Sequence, residues 1–311
     1  MNPRAPIHLL LALAGVAVSV PSGRSAEVAR FPLRADRRHA VAAGEDHSLA
    51  LRADGTVASW GYNYNHRITP PDGLAHVVAL AAGNKFSLAL KADGTVVAWG
   101  DEFSGRTNPP RDLRGVIAVA AGYAHALALL ADGTVVGWGN SADGRTIPPA
   151  GLHQVIAIAA GHDHSLALKS DGTVVQWGQS LAKAERPRPA ELRQVVAIAA
   201  GSDFSLALKA DGTVVGWGTD FFGQASGAAN LKGVVAIAAT DESALALKSD
   251  GTVFFWGRGM SPPKSLREVV AVAAAPDHNL ALQTDGTVVA WGSNLKGKAT
   301  PPAGLRAYVQ P

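Results

Sequence analysis

The chain has 311 residues, 47% of them apolar, a net charge of +3 with histidine neutral, and no cysteine. The absence of cysteine excludes disulfides, a thiolate zinc site, a thiol nucleophile and a lipoprotein anchor. The weak net charge leaves no electrostatic footprint for nucleic acid.

Residues 1–26 read as a secretory signal: Arg4 precedes an apolar run from Ile7 to Val20, and small residues follow. The run is short for a membrane span, so cleavage and export are expected, with no anchor left behind. Ser19, Ser22, Ser25 and Ala26 are all candidate ends. Removing Arg4 and Arg24 with this segment takes the charge from +3 to +1. Periplasm, cell surface and medium all fit. Residues 27–37 form a lead-in whose arginines, Arg30, Arg34 and Arg37, run on to Arg38 and read as a solvated stretch.

From residue 38 to 311 the chain repeats. Asp-Gly-Thr begins at Asp54, Asp93, Asp132, Asp171, Asp211, Asp250 and Asp285, in steps of 39, 39, 39, 40, 39 and 35. Four residues after each threonine comes a tryptophan followed by glycine: Trp60, Trp99, Trp138, Trp177, Trp217, Trp256 and Trp291, which are all the tryptophans in the chain. Such a period is the mark of a repeat architecture.

One unit, VVAIAAGSDFSLALKADGTVVGWG, reads as three strands, with room for a fourth. The first ends in small residues, the second alternates, and Asp-Gly marks a tight hairpin through its tolerance of positive φ. A three-stranded sheet with two apolar faces cannot be stable alone. Copies must therefore sandwich one another, and seven twisted sheets around an axis make an all-β, seven-bladed β-propeller of repeats of about 39 residues. Ala-Ala-Gly suits the crowded axis, and the tryptophans fill the space where blades diverge. Tyr308 and Val309 are expected to pair beside the first blade and latch the ring.

The frame GxxHSLALxxDGTVxxWG resembles the repeat of the regulator-of-chromosome-condensation-type (RCC1-like) propellers, over nearly all of residues 38–309. In repeat length it is most similar to the bacterial secreted branch that includes the type II β-lactamase inhibitory protein. The resemblance implies a binding scaffold, with no enzyme activity and no cofactor. β-lactamase inhibition is a lesser alternative, because few aromatics occupy the loops that would carry it.

Two loop sets are candidate binding surfaces. After each Ala-Ala-Gly, the loops should ring the central channel. They place Asp46, Asp163, Asp203, Glu242 and Asp277 together with Tyr123 and His162, an acidic ring able to steer a basic partner. After each Trp-Gly, a second surface carries Tyr62, Tyr64, Phe103, Phe221 and Phe222, with Arg106 and Arg145 at one recurring position. Aromatics beside arginine are typical of interface cores.

His162-Asp163-His164 looks like a metal or acid–base site. However, His47, His125, His164 and His278 exchange with Phe86 and Phe204 at one repeat position, so they read as packing or hydrogen-bonding residues. No catalytic residue or metal ligand is assigned, and no serine-hydrolase, zinc-protease or phosphate-loop motif occurs. The expected function is a monomeric, exported scaffold for another protein. The alternative is a carbohydrate-binding or hydrolytic protein that uses the acidic ring.

Overall fold

The computed structural model describes residues 40–66, 68–179 and 192–309. The expected signal and lead-in, 1–26 and 27–37, lie outside the described residues, as does Arg67.

The described chain forms seven three-stranded antiparallel sheets, each strand paired with its neighbour in sequence. They are β1–β3 (Val41–Ala43, His47–Leu51, Val57–Gly61), β4–β6 (Val77–Ala82, Phe86–Lys91, Val96–Gly100), β7–β9 (Val116–Ala121, His125–Leu130, Val135–Gly139) and β10–β12 (Val155–Ala160, His164–Lys169, Val174–Gly178). The last three are β13–β15 (Val195–Ala200, Phe204–Lys209, Val214–Gly218), β16–β18 (Val234–Ala239, Ser243–Lys248, Val253–Gly257) and β19–β21 (Val269–Ala274, His278–Gln283, Val288–Gly292). This is the expected seven-bladed propeller. Among the described residues, no helix is long and apolar enough to cross a membrane.

The strands gain their stability from being sandwiched. In β11, every residue from His164 to Leu168 is buried, on both faces. A sheet with one wet face would alternate; here each face meets a neighbouring blade. Ala-Ala-Gly lines the axial channel. A Cβ on Gly161 would lie 2.5 Å from the Gly201 carbonyl and 2.6 Å from the His164 ring, so only glycine fits. In the sixth blade Thr240 replaces this glycine; Ser243 replaces the ring and bonds the Thr240 hydroxyl at 3.0 Å.

The hairpin turn differs from the sequence reading. In the Asp-Gly-Thr hairpins only the glycine takes positive φ, +78° at Gly172 for example. The turn spans Ser170–Thr173, closed by Lys169 N–H to Thr173 O and Gly172 N–H to Lys169 O, each at 2.9 Å. The aspartate acts through its side chain: Asp171 Oδ1 accepts the Thr173 amide at 3.0 Å and hydroxyl at 2.6 Å. These bonds hold the Asp171 carboxyl down at about 2.

The tryptophans are buried and join blades. Trp138 Nε1 donates to Arg106 O, Trp177 to Arg145 O and Trp256 to Gln224 O, all at 2.9 Å and all into the loop that leaves the preceding blade. Trp60 does the same to Lys298 O at 2.9 Å, which closes the seventh blade onto the first. The tail adds a latch. β1 has three residues where other inner strands have six, and Tyr308 N–H donates to Leu51 O at 2.7 Å.

Candidate binding face

Three antiparallel strands per blade set the geometry of the site. The loop between the first and second strands and the loop leaving the third must open at the same end. His164 pairs with Gly178 across β11 and β12, and Gln179 N–H donates to Asp163 O at 2.9 Å. The two candidate surfaces are therefore one face. The sequence left room for a fourth strand, and only an odd number puts both loop sets at one end; each blade has three.

The acidic ring is not a free negative field. Asp163 is ion-paired with Arg145 and lies 3.0 Å from His162 Nδ1. Lys298 Nζ bridges Asp46 at 3.3 Å and Asp277 at 2.7 Å, and Arg258 pairs with Glu242 at 3.0 Å. Of the five, Asp203 has no ion pair among the described residues. Partial burial opposes ionisation of Asp277, yet bonds from His278 and Lys298 hold its carboxyl below the usual range. Asp241 belongs to the same ring. Asp241 is exposed but set in the concave channel mouth. Burial there, with the carboxylates of Glu45, Glu242 and Asp203, raises its pKa against the pull of His162.

The basic residues of the second loop set are buried, contrary to a simple exposed arginine rim: Arg106 is 4% exposed, Arg145 5% and Lys298 2%. Each staples its loop to the next blade. Arg106 Nη1 donates to Tyr123 O at 3.4 Å, Arg145 Nη1 to His162 O at 3.1 Å, and Lys298 Nζ to Glu45 O at 3.2 Å. Buried cations are costly unless paired, and these are paired with carboxylates and carbonyls.

The aromatics are what the face shows to solvent: Tyr64 59%, Phe103 69%, Tyr123 41%, Phe221 88% and Phe222 46% exposed. Tyr62 is half-buried, stacked on Tyr64 at 5.9 Å with Lys296 Nζ 3.4 Å from its ring. Tyr123 stacks on His162 at 3.9 Å. Asp101 Oδ1 accepts the Phe103 amide at 2.8 Å. Asp220 Oδ1 accepts the Ala225 amide at 2.8 Å, and Gln224 Oε1 the Phe222 amide at 2.8 Å. These bonds fix the loops that present the rings. Phe103, Tyr123 and His162 border a cleft of about 480 Å3, and the channel mouth holds about 80 Å3.

The histidines form a cross-blade set. His47 Nε2 meets Ser87 Oγ at 2.9 Å, His125 meets Ser165 at 2.9 Å, His164 meets Ser205 at 2.8 Å, and His278 meets Ser48 at 2.8 Å. Ser165 Oγ donates to Arg145 O at 2.8 Å, so His125 must donate from Nε2. Where the ring is Phe86 or Phe204, the facing residue of the next blade is Ala126 or Ala244. Burial, the leading cause, lowers the pKa of His125 to about 3 and of His164 to about 4. His164 is thus a joint between blades. Among the described residues, no cluster of three or more potential ligands is placed to hold a metal ion.

The regulator of chromosome condensation (RCC1) repeat matches residues 39–67, 77–106, 116–145, 155–181, 195–224 and 269–298, more than half of the chain. The chain belongs to the RCC1 repeat family. In this RCC1-repeat propeller the matched segments fall on six blades, and the sixth blade, β16–β18, lies between two of them. Its fold is similar to the CRINKLY WD40 ectodomain of the Arabidopsis thaliana receptor kinase ACR4, with TM-score 0.69 and 20% identity over 93% of this chain and 99% of that one. The ectodomain of the Physcomitrella patens receptor kinase CR4 gives TM-score 0.69 and 21% identity over 82% and 72%. Human WBSCR16 gives TM-score 0.52 and 20% identity over 83% and 77%. No curated protein matches the chain by sequence.

Proposed function

We propose that this RCC1-repeat propeller is an exported, non-catalytic scaffold that grips a protein through the loop end of the ring. The observation that carries this reading is the convergence of both loop sets on one face. Five exposed aromatics stand there; buried Arg106 pins the Phe103 and Tyr123 loops, and Asp220 and Gln224 pin the loop of Phe221 and Phe222. Aromatic anchors on a preorganised frame are the usual source of tight binding, because little side-chain entropy is lost on docking. Export rests on the leader-like residues 1–26. Membership of a family whose fold is shared with receptor-kinase ectodomains supports a scaffold role.

The test is capture of exported proteins of the source cell by the full-length mature chain. Wild type is compared with a Phe103→Ala/Tyr123→Ala/Phe222→Ala variant and with Asp171→Asn at the hairpin end. A partner lost by the first variant and kept by the second supports the face. Equal capture by all three overturns it. Glycan arrays and hydrolase screens on the same proteins address the acidic-ring alternative, and recovery of a β-lactamase would support the inhibitor reading.

A further inference from the structure

Among the described residues, a buried cation from the loop leaving one blade sits between the inner loops at three junctions, through Arg106, Arg145 and Lys298, while Gln224 takes its place between the fifth and sixth blades. The junction of the sixth and seventh blades has none. There the loop reads WGRGMSPPKSL where the second blade reads WGDEFSGRTNPPRDL. The four-residue deletion that shortens this repeat step to 35 removes the cation's position. The Trp291 indole still bonds across, to Met260 O at 3.1 Å, so the blades stay joined. What is left is a pocket of about 310 Å3, bordered by Glu242, Ser243, Met260, Asp277 and Asn279, with Arg258 at its edge.

The chemistry of the lining matches the missing group. Pro276 and Asp277 hold the places that Glu45 and Asp46 hold around Lys298. Asn279 is 4% exposed, and its Oδ1 has no hydrogen-bond partner. A buried acceptor without a donor is costly and is relieved by an incoming N–H. Charge points the same way: the carboxylates of Glu242 and Asp277 both border the pocket. Arg258 does not fill the gap: its side chain is 66% exposed, it reaches Glu242 alone, and its guanidinium lies 5.3 Å from the Phe222 ring.

We infer that this gap is a binding site for a guanidinium or protonated amine, supplied by a basic side chain of the protein partner. The occupant takes the role that Arg145 plays at the junction of the third and fourth blades. This inference rests on the scaffold reading for the source of the side chain, though not for the site itself.

The test is calorimetric titration of the full chain with argininamide, with glycinamide, which keeps the α-amine but has no side chain to reach between the loops, as the control. Wild type should bind argininamide saturably and glycinamide more weakly by about tenfold or more. Glu242→Gln should weaken binding by about tenfold or more, the factor a hydrogen bond to a charged group contributes. Replacing Arg258–Met260 with Asn140–Thr146 should restore an internal arginine, abolish the binding and raise the melting temperature. That gain would also show the variant is folded. Absence of saturable binding to wild type overturns the inference, as does unchanged binding in both variants. Because the titration needs no partner, these outcomes are independent of the capture experiment. Argininamide binding without any captured protein would keep the site and sink the scaffold reading; the reverse would do the opposite.

Discussion

Two neighbouring junctions carry the same backbone and opposite chemistry. Between the third and fourth blades, the His125 imidazole donates to Ser165, which passes the bond on to the Arg145 carbonyl. Between the second and third, Phe86 faces Ala126, and both are fully buried. Tryptophan anchors both junctions identically, Trp177 on Arg145 O and Trp138 on Arg106 O. The difference shows that each blade is matched to the next one rather than to itself. Ser87 serves His47 of the blade before it, while its own chain neighbour Phe86 looks ahead to an alanine. A polar ring needs a polar partner because an unmet buried donor costs more than the bond returns; an apolar ring needs only volume.

The shared element should show the largest effect. Trp138→Ala and Trp177→Ala should each cost about 3–5 kcal/mol, the usual figure for emptying a large aromatic site. The two losses, read from urea unfolding, should be similar. A loss at only one junction would mean the frames differ after all. Binding should fall no further than unfolding explains.

Crossing the two chemistries comes next. Phe86→His buries an imidazole against Ala126 and should destabilise by about 1–3 kcal/mol. Adding Ala126→Ser should recover part of this. A double-mutant cycle should give a favourable coupling of about 0.5 kcal/mol or more. Additive losses would sink the pairing rule.

Acid should separate the junctions further. Folded His125 and His164 titrate at about 3 and about 4, below the ordinary 6.5 of the unfolded chain, and His278 is shifted the same way. The unfolded chain therefore binds more protons below 6.5. Stability is complete above that value and is lost as pH falls toward 4. The double variant His125→Phe/Ser165→Ala, which copies the apolar junction, should flatten this slope by about one proton. An unchanged slope would remove His125 as a contributor.

The smallest effect belongs to the far end. Asp132→Asn and Asp171→Asn alter exposed hairpin turns remote from both junctions and should shift stability by only about 0.5 kcal/mol each. A larger loss at one of them would mean that the turn is coupled to its junction.

The order of strands, the number of blades, and the places of the tryptophans and axial glycines were determined by sequence alone. They depend on contacts within one repeat or on a recurring requirement, and the period displays the tryptophan seven times and the axial glycine five, with Thr240 and Ala275 in the last two units. The tail latch at Tyr308 was expected from the sequence as well, and Tyr308 N–H bonds Leu51 O. What the tertiary structure decided lies between repeats. Closing the ring set His125 against a serine forty residues away, buried Arg106 and Arg145 that composition alone would put at the surface, and neutralised most of the acidic ring. It also turned a four-residue deletion into a pocket. Such contacts join residues that are never neighbours in the chain, and a burial cost is settled only once the next blade is in place.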